Sequence, residues 1–285
     1  LTFDFGVGLI QGSMVLVNFP RAWVKAIWES FQAFADPQRQ KEIFNPATKY
    51  GADNMAIVRE MDGGLIIGSE YFDAVAQGGV IASGIKRIPK GPLRKGLQST
   101  IDRFRASFEV FLTVARLEIA KAFRYKVQFG EMSRNDVVDF ANKFTGITSS
   151  RKLGVKSTQR QVEAAGFALA PRYFRAITGL MVDATQGGFR GEQARKSMAK
   201  FFGATVAAYI GIAAAMGQTP KLDPRSTAKG GDGGKFLTVE INGHNIGLGS
   251  KPISLMRHLF KAASDPSELT RLDSRNLMLS FARTN

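Results

Sequence analysis

From Phe201 to Met216 the chain runs 16 residues without a charge, and no other stretch constrains the fold as tightly. A run that apolar on every side must be covered by protein or by lipid. It leads into the turn Leu222-Asp223-Pro224-Arg225-Ser226, a glycine-rich loop, and two short apolar stretches, Phe236 to Ile241 and His244 to Gly249. Between them stands Asn242-Gly243, the pair favoured in a type I′ turn because both central residues take positive φ. The segment therefore predicts one long apolar helix followed by a β-hairpin.

The rest of the chain reads as helical. Pro20 suits a first helical turn, and Trp23, Ile27, Phe31 and Phe34 follow on one face at helical spacing. Phe3 to Phe19 is apolar and dotted with glycine, and suits a buried or a membrane-touching segment. Pro89 to Pro92 marks a break. Beyond it Leu97, Ile101, Phe104, Phe108, Phe111 and Ala115 alternate in steps of four and three, the spacing of a bundle or coiled-coil seam. A helix from Leu97 to Val127 is expected there, about 45 Å long at 1.5 Å per residue. Ser133 with Asp136 reads as a capped helix start and Gly146 as a stop. A helix from about Ser157 contains Pro171, which predicts a break at Ala170. Another starts near Glu192 and carries the apolar run, and helices are expected after Pro252 and over Leu272 to Phe281. The fold class predicted is mainly α, a multi-helix bundle-like assembly with long helices and one small β-hairpin. Two regions are expected, a short-helix region over 1–92 and a helical domain over 93–285.

Charge is concentrated. The chain carries a formal +15. Lys86 to Lys126 holds a net +8 and Arg151 to Lys200 a net +7, so the remainder is neutral. Such blocks suit contact with polyanions, nucleic acid or anionic membrane, and equally a solvated face or acidic neighbours in an assembly. Lys86, Arg87, Lys90, Arg94, Lys95, Arg103 and Arg105 are the candidate nucleic-acid contacts, of a sequence-independent kind because no base-reading motif accompanies them. For the apolar helix, a core helix and a membrane-inserted helix are both open; Phe201, Phe202, Val206, Tyr209, Ile210 and Ile212 are the candidate lipid contacts. Its 16 uncharged residues fall short of the ~20 needed to span a bilayer.

Catalysis finds little footing. No cysteine is present, which excludes disulfides, thiolate nucleophiles and cysteine metal sites. His244 and His258 lack ligand spacing; Ser250 or Ser254 near His258 could form a nucleophile pair, but helix capping explains Ser250 more simply. Glu60, Asp62 and Glu70 are carboxylates with nothing to nominate them for acid–base work. Gly230-Gly231-Asp232-Gly233-Gly234-Lys235 leads into a strand and lacks the Ser or Thr of a phosphate loop. No enzyme activity, metal or cofactor is expected. The chain starts at Leu1 without a secretory leader pattern and reads as part of a longer polypeptide.

The order of features resembles the C-terminal associated domain of the giant "large polyvalent" proteins of phages, many of which are similar to internal virion or DNA-ejection proteins. The residues carrying it are Asp4-Phe5 to Gln11-Gly12, Ile88-Pro89, Phe104-Arg105-Ala106 with Phe111, Ser133-Arg134-Asn135-Asp136 with Asn142 and Gly146, and Phe167 with Ala170-Pro171-Arg172-Tyr173-Phe174. The apolar helix, Leu222-Asp223-Pro224-Arg225-Ser226 and the hairpin complete the series. The resemblance covers nearly the full chain. It implies a virion protein held in the head or tail and ejected to the host envelope, helping DNA across it. Phage DNA, portal or tail components and host membrane would be its partners. A homo-oligomer joined through the Leu97–Ala115 seam suits a ring around the DNA path. A nucleic-acid-binding accessory module acting in the host cytoplasm and a purely architectural scaffold are the alternative readings.

Overall fold

The structure, a computed structural model, describes residues 12–67, 89, 91–146, 170–225 and 230–247. Among these, eight α-helices and one two-stranded antiparallel sheet make the protein mainly α. The helices are α1 Ser13–Asn18, α2 Pro20–Ala35, α3 Arg39–Glu42, α4 Lys49–Glu60, α5 Pro92–Gln128, α6 Arg134–Phe144, α7 Ala170–Thr185 and α8 Gly188–Ala215. The strands are β1 Thr238–Ile241 and β2 His244–Gly247. The chain divides into two compact units, Leu1–Phe201 and Phe202–Asn285, so α8 contributes its first half to one and its second half to the other.

The first unit is built around α5. This helix starts at Pro92, five residues before the expected Leu97, because proline's fixed φ suits the first turn. From Ala106 to Ala120 it is buried on nearly every side, as a central helix must be. The seam residues Phe108, Phe111 and Ala115 are enclosed within this unit, and the Phe104 ring meets Phe34 of α2 edge-on at 4.9 Å. This part of the proposed oligomer seam is therefore used inside the chain.

Along α2 the fully buried line is Ala22, Ala26, Glu29 and Ala33; of the expected row Trp23, Ile27 and Phe34 are half-buried and Phe31 is exposed. Small side chains let the α2 and α5 backbones approach, and the Ser30 and Ser107 hydroxyls lie 2.7 Å apart across that seam. The expected boundary at residue 92 would separate α1–α4 from α5, yet both lie in the first unit.

Phe19 meets Phe123, Phe140 and Phe144 edge-to-face with centroids 5.5–6.4 Å apart, Phe140 and Phe144 stack at 4.9 Å, and Phe189 of α8 joins the cluster at 5.6 Å from Phe123. Helix α6 is capped as its sequence predicts: the Asp136 backbone N–H donates to Ser133 Oγ at 3.0 Å, and Gly146 ends it at φ +78°. Ala170, where the break is expected, is the first described residue of α7, and what precedes it lies outside the described residues.

In the second unit the hairpin pairs Thr238 with Gly247 and Ile241 with His244 across Asn242 (φ +51°) and Gly243 (φ +79°). The first strand is shorter than its apolar stretch suggests. Leu237 takes φ +53°, a left-handed conformation that cannot continue a strand, so β1 begins only at Thr238. The expected helices from Ser157, after Pro252 and over Leu272 to Phe281, and the segment from Phe3 to Gln11, lie outside the described residues.

Candidate functional site

Helix α8 ends with Gly217 at φ +65°; the Gln218 backbone N–H reaches Ala213 O at 2.8 Å and that of Gly217 reaches Ala214 O at 3.0 Å. This pair of reversed bonds closes the helix and turns the chain back toward the hairpin. Two side chains then clasp the hairpin to the helix. The buried Tyr209 hydroxyl donates to Thr238 O at 3.1 Å and accepts from the Lys221 backbone N–H at 2.7 Å. The Gln218 carboxamide donates to Glu240 O at 2.6 Å and accepts from Glu240 N–H at 2.8 Å, doing for β1 what a neighbouring strand would do.

The clasp divides the candidate lipid contacts. Phe201 (2% exposed) and Tyr209 (1% exposed) face inward. Phe202 and Val206 are half-buried. Ile210 and Ile212 are exposed, at 38% each, with Met216 at 40%. Tyr209 is thus taken from the candidate lipid face by the hairpin it holds, and Phe201 by burial in the first unit. The other side is open: the helix is long and apolar enough to cross a membrane, and its most apolar 18-residue window is only 17% buried. No added Cβ at Gly203 or Gly211 would meet another atom within 4 Å.

The candidate nucleic-acid residues are dispersed by the fold. Lys86, Arg87 and Lys90 lie outside the described residues. Arg103 donates to Phe34 O at 3.1 Å and Ala35 O at 2.6 Å, closing the carboxyl end of α2. Arg105 pairs with the buried Glu109 at 3.1 Å. Arg195 closes α7 in the same manner, through Ala184 O at 2.8 Å and Gln186 O at 2.9 Å. Arg94 and Lys95, in the first turn of α5, remain as described candidates whose side chains make no hydrogen bond or ion pair with a described residue. Positive charge read as a binding face is, on α5 and early α8, largely internal wiring.

Three polar groups packed between helices, the first half-buried and the others built on buried Arg116 and Asp183, are not foreshadowed by the sequence. Glu118 bridges Lys25 at 2.9 Å and Lys121 at 3.0 Å, and both ammoniums lie over the Tyr50 ring, at 4.5 and 5.5 Å. Burial works to raise the Glu118 carboxyl, but the two lysines outweigh it and hold it below its ordinary value. Burial pushes the Tyr50 hydroxyl up to about 12, so it stays a neutral phenol. Arg116, 1% exposed, donates Nε to Thr145 Oγ1 at 2.7 Å and Nη1 to Ile66 O, while Nη2 has no partner. Burial lowers that guanidinium to about 9, leaving it charged at neutral pH. Lys143 joins the buried Asp183 at 2.8 Å to Asp139 at 2.7 Å, and Gly179 leaves room for its stem. Each of these groups is legible only once helices distant in sequence are brought together.

His244 opens β2 and is exposed; His258, Glu70, Ser250 and Ser254 lie outside the described residues. Glu60 pairs with Arg124 and Asp62 with Arg134. Among the described residues no group of three or more His, Asp or Glu side chains is placed to hold a metal ion. The glycine-rich loop is folded on itself: the Asp223 backbone N–H donates to Asp232 Oδ2 at 2.8 Å, and Gly231 lies against Arg225 O so closely that an added Cβ would stand 2.4 Å from it. No protein-family model, curated protein or solved structure matches this chain.

Proposed function

We propose that this chain is a structural module of a phage internal virion protein, ejected on infection to help DNA cross the host envelope, and that the second half of α8 is where it meets lipid. The observation that carries the reading is the exposure of α8: an apolar window of 18 residues of which 17% is buried. In water an open apolar face of that length is unfavourable, and lipid removes the penalty. The family resemblance supplies the particle context. DNA contact in this reading is non-specific and belongs to the first turn of α5, around Arg94 and Lys95, with portal or tail components as neighbours in the virion and a homo-oligomer as the assembled form.

Liposome flotation of the chain tests the reading, with Ala207, Ile210 and Ala214 replaced together by Gln as the control. Flotation of the parent and its loss in a variant with an unchanged circular-dichroism spectrum are expected. A parent that stays at the bottom of the gradient with every lipid composition removes the membrane step. Presence of the protein in purified particles and its loss after DNA release tests the ejection step.

A further inference from the structure

On α8, Lys196, Lys200, Gly203, Ala207, Ile210 and Ala214 follow one another in steps of four and three, and all six are exposed. That spacing puts them on one face of a helix. The same spacing leads back to the exposed Glu192, so the stripe opens on the Glu192–Lys196 pair and the ammonium of Lys200 and continues with apolar and small side chains. Lys196 pairs with Glu192, whereas the Lys200 side chain makes no hydrogen bond or ion pair with a described residue. Tyr209, near the middle of the apolar stretch, points away from the stripe and is bonded to the backbone of Thr238 and Lys221.

We propose that α8 lies flat on an anionic lipid surface, seated on this stripe, with the hairpin clasped to its other side and kept in water. The inference rests on the membrane reading above and specifies its geometry. A spanning orientation would take Tyr209 to mid-bilayer, and with it the backbone of Thr238, the Lys221 ammonium and the Gln218–Glu240 pair. Polar and charged groups of that kind are costly in hydrocarbon. The charge-free helical stretch, Phe201 to Ala215, is also about 22 Å long at 1.5 Å per residue, against roughly 30 Å of hydrocarbon core. A flat orientation leaves the clasp intact, sinks Ile210 and the alanines to the acyl boundary, and sets Lys196 and Lys200 among anionic headgroups.

The absence of cysteine makes the test direct. Gly203→Cys, Ala207→Cys, Ile210→Cys, Ala214→Cys and Glu240→Cys are each labelled with a nitroxide in the full chain. Depth is then read by paramagnetic relaxation on vesicles of phosphatidylglycerol and phosphatidylcholine, and of phosphatidylcholine alone. The four stripe labels are expected at one shallow depth and the Glu240→Cys label in water, with Lys200→Gln weakening binding to the anionic vesicles about fivefold. A depth profile that peaks at Ala207 and Ile210 and falls at both ends overturns the flat orientation while leaving membrane binding standing. Equal binding to both vesicle types, or a disulfide-linked dimer of the Ala207→Cys chain in lipid-free solution, also overturns it. Absence of binding to any vesicle instead defeats the membrane reading beneath it.

Discussion

Gly51 stands where no side chain fits. A Cβ there would lie 2.1 Å from Asn45 O, and the offending atom is backbone that has turned to cap α4: Thr48 Oγ1 accepts from the Gly51 N–H at 3.0 Å. Gly51→Ala is therefore expected to lower stability by about 1–3 kcal/mol, read as a shifted urea midpoint at unchanged m-value. Glu118 makes a different forecast. Its carboxyl is held below its unfolded value by Lys25 and Lys121 against the opposing effect of burial, so its stabilisation is complete above the unfolded pKa and is lost as pH falls through the folded one. Unfolding free energy should drop on acidification below about pH 4.5, the ordinary range of a glutamate, and Glu118→Gln should flatten that drop. An unaltered pH slope in the variant would remove Glu118 from the account. Asn142 belongs to the same scale, holding the chain after α4 by donating to Gly64 O and accepting from Ile66 N–H, both at 3.1 Å.

Among the elements, α5 and the hairpin represent two ways of burying a surface. Helix α5 is covered by other helices, and its Phe123 ring touches Phe19, Phe140 and Phe189. Phe123→Ala removes an aromatic ring from the centre of that cluster and should cost about 3–5 kcal/mol, seen in the thermal or urea unfolding of the first unit. The hairpin is too small to be stable alone and borrows its stability from α8 through Tyr209 and Gln218. Gln218→Ala leaves the Glu240 N–H and C=O without the carboxamide. The Glu240 amide should then exchange with deuterium about fivefold faster, near the 1 kcal/mol typical of a net hydrogen bond. The Gln218 side chain also blocks the outer edge of β1, where an unpaired strand would invite another chain.

At the scale of the molecule, the charge of +15 has two destinations. Arg103 and Arg195 close helix ends, and Lys143, Arg105 and Lys25 neutralise buried carboxylates. Arg94 and Lys95 have no such duty, which separates binding from folding experimentally. Replacing Arg94 and Lys95 by Gln should weaken duplex DNA binding and reduce its salt slope, with unfolding unchanged. Arg103→Gln should do the reverse, costing about 1 kcal/mol of stability while leaving DNA affinity as it was. Equal affinity losses in the two variants would mean that the α2 cap is also a DNA contact.

Local signals determined much of this protein. Pro20 at a first turn, the Ser133–Asp136 cap, the glycine stop at Gly146 and the Asn242-Gly243 turn act within a few residues, and each stands in the structure where the sequence puts it. Hydrophobic periodicity located α5 because a helix repeats its face every few residues, and an unbroken uncharged run located α8. What tertiary structure alone decided is which face meets which partner. Ala22, Ala26 and Ala33 line the α2 seam because close backbone approach favours small side chains over the aromatic row beside them. The destinations of Arg103, Arg116 and Lys143 depend on atoms about 70, 50 and 40 residues away, and no local pattern encodes them. The side of α8 left open was fixed in the same manner, when Tyr209 turned inward to hold the hairpin and left Ile210 and Ala214 facing out.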